Sequence, residues 1–271
     1  MGVHGAATAG AREGRVDPLL ADRVVEALLL VGLPVAHGGH GPGVHLLATD
    51  GLDGSDGLGG FDADRWPVTL RWICSPRLEG AAAAADARSP WPRTRQVVAD
   101  SMETALAELL PALGLNATRA TADGPTLVGP GDCDAPARTA ADSSPAPNAE
   151  DAAGPEADPA VAAAVRRGAA LAGLPLARGP RTAGVAYAAC RPAADAAAAT
   201  DGTAEAVDGQ AAAVVDVAWQ PSPHLPGTPS VATAVREAMH HAVGTALAVC
   251  GLRTSWHRPA GSAPHLHVAD H

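Results

Sequence analysis

A chain of 271 residues with 47% hydrophobic content is long enough for one large or two small domains with packed cores. All 19 basic residues are arginine against 29 Asp and Glu, and the formal net charge of -10 excludes a partner held mainly through a phosphate backbone, because that mode needs Arg and Lys to release counterions. No apolar run approaches the ~18 residues of a membrane span and the N-terminus lacks the pattern of a signal peptide, so neither nucleic acid nor membrane is expected as a partner and the cytoplasm is the expected compartment.

The absence of lysine, with the excess of Ala, Gly and Pro, marks a GC-rich coding sequence. Cys74, Cys133, Cys190 and Cys250 form no C-x-x-C and read as scattered small hydrophobes of a reducing compartment.

Residues 1–15 are small, polar and Gly-rich and read as a disordered leader. Asp17-Pro18 then supplies an N-cap carboxylate and a proline at the first helical position, and Leu20, Val24, Leu28 and Val31 follow at helical spacing up to the stop at Gly32. Leu33–His37 and Gly43–Thr49 flank a Gly-rich turn and predict a hairpin. After the acidic loop Asp50–Asp64, Val68, Leu70 and Trp72 alternate with polar residues in a strand that Ser75-Pro76 ends. An Ala-rich loop follows. A helix from about Arg95 to Leu113 turns Val98, Met102, Leu106 and Leu109 inward and Asp100, Glu103 and Glu108 outward, and a weaker hairpin spans Leu115–Val128. Residues 131–156 are rich in Ala, Pro, Ser and acid without apolar periodicity, the composition of a linker.

The pattern then restarts. Asp158-Pro159 opens a helix with Val161, Val165, Ala169 and Ala172 inward, and Gly173-Leu-Pro-Leu-Ala177 repeats Gly32-Leu-Pro-Val-Ala36. Trp219-Gln-Pro-Ser222-Pro223-His-Leu225 repeats Trp72-Ile-Cys-Ser75-Pro76-Arg-Leu78, the same W-x-x-S-P-x-L pattern 147 positions on. A closing helix, Ser230–Cys250, and a hairpin of Leu252–Trp256 with His265–Val268 complete the second unit. The expected fold is α+β: a tandem duplication of a helix, three strands, helix, two strands unit over 16–130 and 157–271, with antiparallel sheets packed by helices. The thinner apolar stripe of the second unit's first helix suggests that it leans on the first unit, a pseudo-dimer within one chain.

Candidate chemistry is sparse. His265 and His267 alternate on a strand and would share a face, so that His257, His265, His267 and His271 form a candidate metal set. His240-His241 with Glu237 reads instead as an exposed helix face, and His37, His40 and His45 as turn residues in solvent. The acidic loop lacks the spacing of a calcium loop, and no nucleophile or phosphate-loop motif stands in a fitting context, so no cofactor and no catalytic residue is assigned. Trp72 and Trp219, matched in the two units, are candidate walls of ligand grooves and otherwise core anchors.

In the order of its elements the unit resembles type III secretion chaperones and YbjN-like proteins, small α+β modules that bind peptides and often dimerise. That resemblance implies a non-enzymatic module for a protein or peptide met at a sheet face or edge. The alternative expectation is a metal-binding protein or metal-dependent enzyme using the C-terminal histidines.

Overall fold

The computed structural model describes residues 17–36, 40–49, 62–131, 157–179, 181–190, 214–225, 229–257 and 265–269. The leader, most of the acidic loop, the linker and the variable loop after Cys190 lie outside these residues. The protein is α+β, and its described residues form five α-helices and two four-stranded antiparallel sheets. In the first half, α1 (Pro18–Val31), β1 (Gly43–Ala48), β2 (Val68–Ile73), α2 (Pro76–Ala83), α3 (Trp91–Leu109), β3 (Asn116–Arg119) and β4 (Thr126–Gly129) form a sheet of order β1-β2-β4-β3. In the second, α4 (Pro159–Ala172), β5 (Gly184–Ala189), β6 (Val214–Gln220), α5 (Pro229–Val249), β7 (Arg253–His257) and β8 (His265–Ala269) form a sheet of order β5-β6-β8-β7.

The helix signals act as their chemistry predicts. Asp17 accepts the Leu19 N–H, Asp158 accepts those of Ala160 and Val161, and Pro opens each helix. Helix α3 lies on β2, β3 and β4, α5 lies on β6 and β7, and the two helices pack on each other, so one hydrophobic core runs through both halves. This double packing corrects two expectations. Glu103 and His240, read as solvent-facing, are 7% and 5% exposed, because α3 and α5 are covered both by a sheet and by each other.

Two further expectations are corrected. Leu33–Ala36 does not form a hairpin with β1; Val35 makes a single parallel bridge to Val44, and Leu176 makes the same bridge to Val185. Proline at positions 34 and 175 has no N–H to donate, so each segment makes only a short bridge: Pro34 O accepts from Val44 at 2.8 Å and the Ala36 N–H donates back to Val44 O at 3.0 Å. The Ala-rich segment after Ser75-Pro76 is a helix, α2. Ser75 Oγ caps the Leu78 N–H, and Ala is the strongest helix former, but with Leu78 as its sole buried residue α2 has no apolar period to betray it.

The halves are joined through the ends of their first helices. An α-helix leaves its last four carbonyls without intrahelical donors. In α1, Leu28 O and Leu29 O accept from Leu33 and Gly32 of the same half, whereas Leu30 O accepts the Ser222 N–H at 3.1 Å and Val31 O accepts the Trp219 indole N–H at 2.8 Å. In α4, Ala169 O and Ala170 O accept from Leu174 and Gly173, whereas Leu171 O accepts the Ser75 N–H at 3.2 Å and Ala172 O accepts the Trp72 indole at 2.9 Å. Each W-x-x-S segment therefore completes the C-terminus of the other half's first helix.

That exchange demands close approach at the helix stops. Gly173 has φ +81°, and a Cβ there would lie 2.9 Å from Pro42 Cβ and 3.3 Å from Ile73 O, both in the other half. Gly114 has φ +80° and nothing within 4 Å, which makes it a control. Gly114→Ala is expected to cost about 1–2 kcal/mol from the left-handed conformation alone. Gly173→Ala is expected to add about 1 kcal/mol or more by forcing the halves apart. Urea unfolding of the two variants checks this, and equal losses would contradict the packing of the halves at that point.

Candidate metal centre

On the open face of the second sheet, strand register gathers three donors of different kinds. Asp216 of β6 stands opposite His267 of β8, and Cys190 follows the last residue of β5, its N–H 3.4 Å from Val214 O. His267 Nε2 lies 2.9 Å from Asp216 Oδ1 and 3.7 Å from Cys190 Sγ, and the three donor atoms all fall within 4.8 Å of one another. In tetrahedral zinc, bonds of ~2.0–2.3 Å put sulfur and nitrogen donors about 3.6 Å apart. The Cys–His separation already has that size.

The arrangement fits a cation better than a catalytic relay. A Cys-His-Asp triad uses the two imidazole nitrogens separately, one toward the nucleophile and one toward the carboxylate. Here the same Nε2 faces both partners, so the donors converge on one point. Burial pushes the Cys190 thiol above its ordinary range, and the charge of Asp216 and a hydrogen bond to it push the same way, which disfavours a free thiolate nucleophile. A bound cation reverses that balance by holding the thiolate itself. The side chains of Asp216 and His267 are 29% and 23% exposed.

The first half has no such cluster at the corresponding register positions. Thr49 follows β1 as Cys190 follows β5, Thr69 on β2 matches Asp216, and Leu127 opposite Thr69 matches His267. Thr49 and Thr69 share a buried hydroxyl hydrogen bond of 2.8 Å, and Leu127 is fully buried. The metal-type donors thus belong to one half alone.

Of the expected metal set, His267 is in the cluster. His257 and His265 face each other in register across β7 and β8, and His271 lies outside the described residues. The partners of His267 are instead Cys190, just after β5, and Asp216 of β6, both far away in sequence, and only the alternation Val215, Asp216, Val217 hinted that Asp216 points off the core. His45 is engaged locally, Nε2 donating to Gly41 O at 3.1 Å. Cys74 and Cys250 are raised by burial to about 12 and about 11, and Cys133 is not among the described residues. Trp72 and Trp219, read as candidate groove walls and otherwise core anchors, are 2% and 1% exposed, and their indoles join the halves. Comparison with protein-family models, with curated proteins and with solved structures finds no match to this chain.

Proposed function

We propose that the protein binds a transition-metal ion, zinc by its donor set, through Cys190, Asp216 and His267, on a scaffold that arose by tandem duplication of one α+β unit. The convergence of thiol, carboxylate and imidazole atoms from β5, β6 and β8 carries the metal reading. A soft thiolate combined with imidazole and carboxylate suits zinc, and three protein ligands with an open fourth position leave room for a water or an exogenous ligand. Supporting the duplication are the shared strand order and the two W-x-x-S segments, each of which serves the other half's first helix. On this reading the second half changed Thr-Thr-Leu positions into Cys-Asp-His.

Cobalt(II) titration of untagged protein tests the site. One equivalent should bind with a thiolate-to-cobalt charge-transfer band, and zinc should displace it. Cys190→Ser should abolish the band, and His267→Ala should weaken zinc by more than the ~10–100-fold of a merely supporting residue. Because the thiol must lose its proton, zinc affinity should fall about tenfold per pH unit on acidification. A band that survives in Cys190→Ser would overturn the assignment.

A further inference from the structure

We infer that a cleft between the two halves binds a small organic oxyanion, a phosphate or carboxylate. The cleft encloses about 470 Å³ where the start of α2 meets α4 and the residues after α5. Ser75, Arg77, Ala164, Arg167, Leu171 and Leu252 line it, and no carboxylate does. Among the described residues neither Arg77 nor Arg167 has an acidic partner, in a chain where acids outnumber arginines 29 to 19. Planar guanidinium groups match phosphate and carboxylate oxygens two at a time, and the volume is that of a small-molecule site.

The corresponding place on the other side of the molecule carries different side chains. There α1 carries Arg23 at the position of Ala164, and its guanidinium donates to Gly114 O at 3.1 Å. Glu26 stands there at the position of Arg167, and His224 at that of Arg77. The cleft thus differs from its counterpart by an alanine in place of Arg23 and a base in place of the acid. Near the cleft, Leu171 O and Ala172 O accept from Ser75 and Trp72, and Ala246 O, Leu247 O and Ala248 O accept from the turn that follows α5.

Calorimetric titration of the metal-free protein with inorganic phosphate, pyrophosphate and octanoate distinguishes the two headgroups and the need for an apolar body. At least one probe should bind at a single site with a Kd of about 1 mM or below. Arg77→Gln and Arg167→Gln should each weaken it at least tenfold without lowering the melting temperature, since both side chains are exposed. Ala164→Arg, which puts the counterpart's larger side chain into the lining of the cleft, should abolish binding. Should that variant fail to fold, the two glutamine variants still decide. Absence of binding by all three probes at about 10 mM overturns the inference, as does binding that survives both glutamine substitutions.

Discussion

Replacing Trp219 by alanine is expected to lower the free energy of unfolding by about 4 kcal/mol, in the range found for deleting large buried aromatics. The side chain is 1% exposed and sits where two surfaces meet, so the cavity left behind is walled by both halves. It also strands Val31 O, whose donor at the α1 terminus is the Trp219 indole. Trp219→Phe separates these effects. It keeps most of the ring contact and removes the donor, for an expected loss of about 1–3 kcal/mol from a buried carbonyl left without a partner. Trp72 has the mirror role toward Ala172 O and should show the same two-step loss. Both bonds hold the same two surfaces together, so the double alanine variant should lose less than the sum of the singles, with a coupling of about 0.5–3 kcal/mol. Urea unfolding followed by circular dichroism and by tryptophan fluorescence checks this. If Trp219→Phe matched the parent within about 0.5 kcal/mol, the indole bond would carry no weight in joining the halves.

The same tryptophans show how far the sequence could be read. Period and capping marked α1, α4, α3 and α5, because Leu20, Val24, Leu28 and Val31, and their later counterparts, face a core at helical spacing. The repeated W-x-x-S-P-x-L was visible as a pattern, and a turn role for its Ser-Pro was readable. Its second role was not, because the Trp72 acceptor, Ala172 O, lies 100 residues away and is a backbone atom that no side chain announces. Glu103 and His240 misled for a related reason: a helix buried on two sides keeps its second buried face wherever a partner helix happens to lie, and a single stripe count does not see it. The metal cluster was half legible. Alternation placed His265 and His267 on one face, yet the neighbours of His267 depend on β6 lying between β5 and β8, an order that local pattern does not encode.

Glu103 leads to an expected pH dependence of stability. Burial raises its carboxyl from 4.5 to about 7, against the opposing pull of the Trp72 N–H and of Arg119 and Arg71, with Asp100 nearby adding to the rise. Oε1 accepts the Trp72 N–H at 3.0 Å, and that N–H lies beyond the last β2–β4 pair, Leu70 with Thr126, so the glutamate side chain takes the place of a strand. Between pH 4.5 and 7 the folded protein keeps a proton that the unfolded chain has released, so stability falls as pH rises through this window and levels off above it. The full contribution is about 3 kcal/mol. Glu103→Gln preserves a carbonyl oxygen for the Trp72 N–H and removes the charge. The variant should match the parent at pH 4.5 and exceed its stability by up to ~3 kcal/mol at pH 7.5. Arg119 Nη1 lies 3.6 Å from Glu103 Oε2, and its attraction is already included in the net rise of the Glu103 carboxyl. Urea midpoints at the two pH values decide it: parallel changes in parent and variant would show that Glu103 ionises in the folded protein as freely as in the unfolded chain.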